Sequence, residues 1–418
     1  MRGIADCMRK PKRTMVALFL PLRLFLSVFI CVHLWIQTPV SAAQTLTGID
    51  VLEAQKFAPL NGKRVGLITN QTGIDRNRRS AIDLLAHAPG VKLVALFSPE
   101  HGLRGNFDAR VSSTTDEATS LPVYSLYGET ERPTDATLAG LDALVFDMQD
   151  AGVRFYTYIT TMGYAMEAAA AHHLAFYVLD RPDPLGGESI EGPMLDRDRT
   201  NFVGYFPMPV RMAMTLGEMA QMFNAEKKIG CDLHIIRMQN WRRKMWFSDT
   251  GLPWVSPSPN LRTAEAGILY PGLEILQAGG VSVGRGTPRP FELVGAPWIR
   301  SGEFAAYLNR RAIPGARFEP EKFTPDSGSY KGESCEGVRI ALTDRNAMQT
   351  MRMGVEIASA LGKLYPSKLD MPKMIELVGN AETIKQMAAG SDAAAIVESW
   401  GKELDAFRNV RAKYLLYR

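Results

Sequence analysis

The sequence predicts an α/β protein in which a parallel sheet is covered by helices on both faces. Four short apolar runs, separated by segments of helix length, have the composition of strands that are buried on both faces. They are VGLIT (65–69), LVALF (93–97), ALVF (143–146) and AFYVL (175–179). Each run ends abruptly in carboxylates, amides or arginines. Because the loops at the carboxyl ends of parallel strands converge on one edge, these polar groups predict a single site, and an enzyme is the leading interpretation.

The first 43 of the 418 residues have the features of a secretory signal peptide. A basic segment precedes an apolar stretch from Met15 to Ile36, and small residues up to Ala43 offer a cleavage site. The apolar stretch is long and contains Arg23, so an uncleaved membrane anchor is the alternative. The leader holds six basic residues and one acidic residue, which leaves 42 Lys and Arg against 43 Asp and Glu in the mature chain. This balance favours neither a nucleic-acid partner nor a polybasic membrane patch. Because of the leader, we expect a periplasmic protein.

Residues 44–250 are expected to form the first domain, in which strand and helix signals alternate. The predicted helices are 80–88, 160–172 and 216–230, and the further strands are 122–128 (PVYSLYG) and 232–238. Thr215 is suited to cap the third of these helices and Gly230 to stop it. Right-handed β-α-β crossovers then give three layers. The Pro- and Gly-rich stretch 182–210 is predicted to be an ordered irregular loop.

Residues 251–418 are expected to form a second, smaller α/β or α+β domain. Loop-dense sequence begins near residue 250, and helices with one strand, VRIALTD (338–344), follow. Only Cys231 and Cys335 remain after removal of the leader. These two cysteines could form one disulfide in an oxidising compartment, but the sequence does not show whether they lie close enough to pair.

The segment SPEHGLRG (98–105) carries the strongest indication of catalysis. Proline ends the strand and two glycines allow a tight turn, so Glu100 is held at the strand terminus. A carboxyl group beside apolar strand ends can have a pKa that suits a general acid. The alternative is that Glu100 pairs with Arg104 and only fastens the loop.

The segment 147–158 brings two carboxylates, an amide, an arginine and two tyrosines together within twelve residues. Asp147, Gln149 and Asp150 are suited to gripping a hydroxylated substrate, and the rings of Tyr156 and Tyr158 to stacking on a sugar. The alternative is a polar network at a strand end, with the tyrosines in a core between domains.

Two later segments are ambiguous. Arg285, flanked by glycines, is suited to presenting its guanidinium group to a carboxylate, but a structural turn explains the same residues. Asn260, which follows Pro257-Ser258-Pro259, can likewise be a substrate-binding residue or part of a structural turn. No Gly-x-Gly-x-x-Gly follows the first strand, no Gly-x-Ser-x-Gly elbow occurs, and no zinc-type Cys or His spacing is present. The sequence therefore predicts no dinucleotide cofactor, no serine nucleophile and no dedicated metal site.

Several motifs together make the chain recognisable. In order they are TGIDVL (47–52), VGLITNQTG (65–73), SPEHGLRG (98–105), FDMQDAGVRFYTY (146–158), LDRPDPLGG (179–187), PSPNL (257–261), YPG (270–272) and GRGTPRPFE (284–292). They resemble the bacterial exo-β-N-acetylmuramidase family over almost all of the mature chain. The resemblance implies a Rossmann-like N-terminal domain joined to a smaller C-terminal domain. It also implies release of N-acetylmuramic acid from the non-reducing ends of peptidoglycan fragments, with the catalytic glutamate at Glu100.

The resemblance extends the assignment of the site. Glycoside cleavage usually needs a second carboxyl group, for which Asp147 and Asp150 are the candidates; in a substrate-assisted reaction that group would orient the 2-acetamido group. The lactyl carboxylate of muramic acid calls for a cation, from Arg104, Arg154, Arg181 or Arg285, with Arg154 and Arg285 favoured. The predicted substrate-binding residues are Asn70, His101, Arg104, Gln149, Arg154, Tyr156, Tyr158, Arg181, Asn260 and Arg285.

Two other functions compete with the hydrolase. A periplasmic glycan-binding protein without turnover would have the same two domains and would use Tyr156, Tyr158 and Trp254 for stacking. A metal-dependent hydrolase would use His101, Asp147, Asp150 and Asp180 as ligands. The expected partners in the leading interpretation are muramic acid–glucosamine fragments of peptidoglycan.

Overall fold

A seven-stranded sheet dominates the computed structural model, which describes residues 44–106 and 110–418. The strands of the whole described chain are β1 (Arg64–Thr69), β2 (Lys92–Ser98), β3 (Thr114–Thr115), β4 (Pro122–Ser125), β5 (Ala143–Asp147), β6 (Ala175–Leu179), β7 (Glu191–Met194), β8 (Pro209–Arg211), β9 (Asp232–Ile236), β10 (Leu293–Ala296), β11 (Ala316–Phe323) and β12 (Cys335–Leu342). The order in the large sheet is β3-β4-β2-β1-β5-β6-β9, parallel throughout except at the edge pair of β3 and β4. The four predicted apolar runs are β1, β2, β5 and β6, which confirms the α/β class.

Helices cover both faces of this sheet. The helices are α1 (Gly48–Ala54), α2 (Ala81–Ala86), α3 (Asp135–Leu138), α4 (Tyr158–Ala171), α5 (Leu216–Glu226), α6 (Ala264–Ala278), α7 (Ser301–Arg310), α8 (Thr350–Leu364), α9 (Ile375–Val378), α10 (Ala381–Ala388), α11 (Ala393–Ser399) and α12 (Gly401–Arg411). Apolar residues of α1 and α2 pack with one face of β1, and those of α4 and α5 lie in the core on the other face. Thr215 caps α5 as predicted: its hydroxyl accepts from the amide of Glu218, whose carboxylate accepts from the amide of Thr215.

The C-terminal part of the chain has its own antiparallel sheet, which residues 293–342 form in the order β10-β12-β11. The sequence predicted only β12 there; β11 (ARFEPEKF) was missed because it is largely solvent-exposed and contains a proline. Helices α6 and α8 cross at Gly272 and Gly354, where a Cβ on Gly354 would lie 2.3 Å from the carbonyl oxygen of Gly272. Only glycine allows that approach.

The structure changes one further expectation and settles one open question. The stretch 182–210 is not wholly irregular, because β7 and β8 form a two-stranded antiparallel hairpin within it. Cys231 and Cys335 are both buried and free, so they form no disulfide. In the described part of the chain, no helix has the length and apolar character needed to cross a bilayer.

Residues Thr45–Arg418 form one unit, with a hydrophobic core that continues from the large sheet into the C-terminal helices. The domain boundary at 250/251 stays a prediction. The expected leader, residues 1–43, lies outside the described residues.

Candidate active site

Glu100 lies just beyond the carboxyl end of β2, where Pro99 has ended the strand. His101 and Gly102 both have positive φ, 69° and 75°, so the chain turns back sharply after the carboxylate. The side chain of Glu100 is partly exposed. The strand end therefore presents this carboxyl group at the edge where ligands bind in parallel sheets.

One hydroxyl group donates to Glu100, and a second hydroxyl lies near it. Thr157 Oγ1 donates to Glu100 Oε2 at 2.5 Å. Tyr127 follows β4, which pairs in parallel with β2, and its amide-side neighbour Leu126 donates to the carbonyl of Ser98. Burial, together with the negative charge of Glu100, raises the pKa of Tyr127 to about 12, so its hydroxyl stays protonated at neutral pH. Glu100 does not form the alternative ion pair: Arg104 is exposed and donates to Asp116 at 3.3 Å.

A group of tyrosines surrounds this position. The ring of Tyr156 lies edge-on to those of Tyr158 and Tyr270, with centroids 4.7 and 6.2 Å away. Burial, and then the charges of Glu100 and Asp150, raise the pKa of Tyr158. The pKa of Tyr270 is raised chiefly by burial, with Glu274, Glu100 and Asp150 adding to it. Both carboxyl groups therefore lie close to the same tyrosines.

Tyr158 is fully buried and holds the edge of the site together. Its hydroxyl accepts from Asn70 Nδ2 at 2.8 Å and donates to the carbonyl of Pro257 at 2.6 Å. Asn70 Oδ1 accepts from the backbone and hydroxyl of Thr72. The polar atoms of Asn70 and Tyr158 thus join β1 to the loop that holds Pro257, and their contact with a substrate stays a prediction.

Asp150 is the buried carboxyl group of the site. Its Oδ2 accepts from the amide of Gly152 at 2.7 Å, whereas Oδ1 has no partner among the described residues. Burial and the nearby Asp183 raise the pKa of Asp150 to about 8. Asp183 is also buried, and burial raises its pKa to about 7. The two carboxyl groups are close neighbours, because a Cβ on Gly152 would lie 2.6 Å from Asp183 Oδ1.

Asp147 and Arg181 form a buried ion pair. The guanidinium group of Arg181 donates to Asp147 Oδ1 at 2.6 Å and to Oδ2 at 2.9 Å, and both side chains are at most 5% exposed. Each of the two groups therefore satisfies the other, while the catalytic role of Asp147 and the substrate contact of Arg181 stay predictions. Gln149 supports the same edge by donating to the carbonyls of Asp150 and Pro182.

Arg154 does not reach the site surface. It is 1% exposed and donates to four backbone carbonyls, those of Pro193, Met208, Leu377 and Val378. It therefore fastens the β7–β8 hairpin to α9, and its contact with a substrate carboxylate stays a prediction. Burial lowers its pKa to about 9, so it remains charged at neutral pH.

Arg285 is the predicted cation that lies beside the tyrosines. Its guanidinium group pairs with Glu274 at 2.8 Å and lies 5.2 Å from the ring centroid of Phe291, which in turn packs edge-on against Tyr270. The side chain is 23% exposed. Of the remaining predicted residues, His101 and Asn260 are buried, and Trp254 is partly exposed and packs edge-on against Phe247.

No three His, Cys, Asp or Glu side chains gather in a metal-binding arrangement within residues 44–106 and 110–418. Two of the four candidate ligands are engaged elsewhere. Asp147 pairs with Arg181, and Asp180 accepts from Thr215, from the amide of Gly217 and from Tyr417.

Four residues of the site were missed by reasoning from the sequence: Tyr127, Thr157, Asp183 and Tyr270. Each lies in a segment that was singled out for another reason, such as Tyr127 in the predicted strand PVYSLYG. No pattern in the sequence indicates that Tyr127 and Thr157 lie near one carboxylate, because three separate segments provide the three groups.

A partly exposed carboxyl group at the carboxyl edge of a parallel sheet, held by a threonine hydroxyl beside a group of tyrosines, is the arrangement of an α/β enzyme, and glycoside hydrolases use such a carboxyl group as their general acid. The chain belongs to the exo-β-N-acetylmuramidase NamZ family. Residues 65–265 match the N-terminal domain of that family and residues 268–417 match its C-terminal domain. The resemblance inferred from the motifs is thereby confirmed.

Individual relatives agree with this membership. The chain is 44% identical over 376 residues to a Bacillus subtilis (strain 168) protein named peptidoglycan beta-N-acetylmuramidase NamZ, with 89% of this chain and 91% of that protein covered. Two crystal structures of DUF1343 family proteins from Bacteroides fragilis NCTC 9343 are similar in fold. Their TM-scores are 0.84 and 0.74 at 39% and 30% identity, and each comparison covers 90% of this chain and 99% of the other.

Proposed function

We propose that the protein is an exo-acting glycoside hydrolase that removes β-linked N-acetylmuramic acid from the non-reducing ends of peptidoglycan fragments, with Glu100 as general acid/base. The observation that carries this proposal is the partly exposed Glu100 carboxylate at the sheet edge, oriented by the hydroxyl of Thr157. The name of the Bacillus subtilis relative supports the choice of substrate. An oriented acid can protonate the leaving oxygen, which is the step that glycoside cleavage requires.

The second carboxyl group in this proposal is Asp150. Its Oδ1 and the hydroxyl of Tyr156 are buried polar atoms without a partner among the described residues. Such atoms are costly unless a ligand satisfies them. The acetamido group of the substrate offers an N–H donor and a carbonyl acceptor, so it complements both atoms. Asp150 would then orient the acetamide for attack on the anomeric carbon, as in substrate-assisted hydrolysis.

Arg285 provides the selectivity for muramic acid in this scheme. It is partly exposed and lies beside the tyrosine group, whereas Arg154 and Arg181 are committed to buried contacts and Arg104 lies beside Asp116. A guanidinium group recognises a carboxylate through charge-assisted hydrogen bonds. The lactyl carboxylate, which glucosamine lacks, is the group that this residue would bind.

The test is to incubate purified protein with the β-linked muramic acid–glucosamine disaccharide and to measure free muramic acid. The wild type is expected to release it, and Glu100→Gln to lose about 10²- to 10⁴-fold in turnover while keeping its melting temperature. Glu117→Gln, an exposed glutamate, is the matched control and should retain full activity. Binding of the disaccharide without release would support a non-catalytic glycan-binding protein. Activity that disappears with a chelator and returns with a divalent ion would support the metal-dependent alternative.

We also propose that residues 1–43 direct the protein to the periplasm, where fragments from cell-wall turnover would be met. The order of basic segment, apolar stretch and small residues supports a cleavable leader. N-terminal sequencing of the protein from its native host tests this proposal. A start near Ala43 or Gln44 is expected, whereas an intact start at Met1 in the membrane fraction would establish an anchored enzyme.

A further inference from the structure

Three partly exposed aromatic rings lead away from Glu100. Tyr127 follows β4, whose parallel pairing with β2 brings it to the sheet edge that holds Glu100, and the ring of Phe202 stacks on Tyr127 with centroids 5.8 Å apart and planes 26° apart. The ring of Tyr164 follows, 6.2 Å from Phe202, and Arg132 lies 3.5 Å over its centroid. All three rings are partly exposed. We call Tyr127, Phe202 and Tyr164 the aromatic row.

Phe202 is held in a fixed position at the tip of a tight turn. Asn201 and Gly204 exchange backbone hydrogen bonds of 3.1 Å, and Asn201 Oδ1 accepts from the amide of Val203 at 2.9 Å. Tyr205, next in the chain, is buried against Phe223 and so anchors the turn to the core. A ring that is fixed in advance loses little conformational entropy when a ligand stacks on it.

The aromatic row and the tyrosine group start on opposite sides of β2 in the sheet. Tyr127 follows β4, which pairs with β2 on one side, whereas Tyr156 and Tyr158 follow β5, which lies beyond β1 on the other side. Glu100, at the end of β2, therefore lies between the segment that holds Asp150 and the segment that begins the aromatic row. A general acid likewise lies between two sugars, because the glycosidic oxygen that it protonates joins the leaving sugar to the sugar that is attacked.

We propose that the aromatic row, with Phe202 at its centre, is the subsite for the leaving sugar, a β-linked N-acetylhexosamine. The proposal rests on the proposed function, since it takes Glu100 as the acid and the Asp150 side as the place of the muramic acid. The apolar C–H face of a pyranose ring packs on an aromatic face, and the half-exposed ring of Phe202 offers such a face. Arg132, paired with Glu167, holds the outer ring of the row in place.

The experiment compares two substrates that share muramic acid and differ in leaving group. One is the muramic acid–glucosamine disaccharide, and the other is the β-fluoride of N-acetylmuramic acid, whose leaving group is a single atom and needs no sugar subsite. Phe202→Leu keeps an apolar side chain but removes the aromatic face. We expect kcat/KM for the disaccharide to fall roughly 5- to 30-fold, with less than about a twofold change for the fluoride. Phe202→Trp should restore hydrolysis of the disaccharide.

Phe206→Leu is the matched control, because Phe206 is a partly exposed ring of the same segment that packs on Phe223. It should leave both substrates unchanged. Equal losses on both substrates with Phe202→Leu, or no loss on the disaccharide, would overturn the subsite while the proposed function stands. A wild type that cleaves neither substrate would overturn the proposed function and the subsite with it.

A second measurement does not depend on the stability of the leucine variant. In Phe202→Trp, added N-acetylglucosamine should change the tryptophan fluorescence beyond any change in the wild type, because the leaving sugar would stack on the new indole. Identical titrations of the two proteins would overturn the proposal.

Discussion

Thr157 donates a 2.5 Å hydrogen bond from Oγ1 to Oε2 of Glu100, and so joins the start of α4 to the turn after β2. Thr157 lies between Tyr156 and Tyr158, two residues of the tyrosine group. The segment 156–158 therefore both orients the Glu100 carboxylate and provides two tyrosines of the site. The geometry of the site is for this reason sensitive to small changes at Thr157.

Thr157→Val should lower kcat by roughly 5- to 30-fold with little change in KM. Valine has the shape of threonine but lacks the donor. One hydrogen bond to a charged group contributes about 1.5–3 kcal/mol, and the partial exposure of Glu100 reduces this effect. Thr157→Ser keeps the hydroxyl and should retain most of the activity. Steady-state kinetics on the disaccharide test this, and a rise in KM at constant kcat would instead indicate a role in ground-state binding.

Asp150→Asn should flatten the dependence of stability on pH. The ordinary aspartate pKa of 3.8 rises to about 8 in the folded protein, so between these values the native state holds a proton that the unfolded chain releases. The contribution of this group to stability is thus complete below about pH 4 and is lost as the pH rises through 8. The amide does not titrate, so the drop in melting temperature between pH 5 and pH 8 should shrink in the variant.

The control for this measurement is Asp135→Asn, since the side chain of Asp135 is 97% exposed. It should reproduce the wild-type pH dependence. Some decline should persist in Asp150→Asn as well, because burial also raises the pKa values of Asp183 and Asp180, to about 7 and about 6. An unchanged pH dependence in Asp150→Asn would contradict a proton on this group.

Arg285→Ala should weaken hydrolysis of a chromogenic muramide roughly 10- to 150-fold more than that of the matching glucosaminide. The difference corresponds to one charge-assisted contact of about 1.5–3 kcal/mol with the lactyl carboxylate. Arg289→Ala, an exposed arginine four residues later, provides the control and should leave the ratio unchanged. Equal losses of Arg285→Ala on both substrates would mean that the ion pair with Glu274 only supports the loop.

Arg181→Met should destabilise the protein by about 3–5 kcal/mol, because it leaves the fully buried Asp147 carboxylate without its partner. The double variant Asp147→Leu with Arg181→Met should recover much of this loss, since it removes both charges. Urea unfolding measures both effects. Turnover per folded molecule should stay within a few-fold of the wild type, and a loss comparable to that of Glu100→Gln would support the predicted catalytic role of Asp147.

Local pattern was enough to predict most elements of the large sheet. Strands buried on both faces must be apolar over their whole length, so β1, β2, β5 and β6 were visible as uninterrupted runs. The helix after Thr215 was visible because a cap and a periodic apolar face are both local signals. The hairpin of β7 and β8 was not visible, since its pairing joins Glu191 to Arg211 and Met194 to Pro209, residues 20 and 15 positions apart, in a Pro- and Gly-rich stretch.

The sequence by itself assigned Glu100, Asp150, Tyr156 and Tyr158 to one edge of the sheet, because the carboxyl ends of parallel strands converge whatever the rest of the chain does. It did not identify Tyr127, Thr157, Asp183 or Tyr270 as members of the site. Only the tertiary structure decided which polar groups are already satisfied. Asp147 meets Arg181 across 34 positions, and Arg154 meets the carbonyls of Leu377 and Val378 from more than 220 positions away. A strand-end carboxylate or arginine looks the same in sequence whether it is exposed to a substrate or buried with a partner. The difference lies in long-range contacts, which set burial and charge and which no local pattern records.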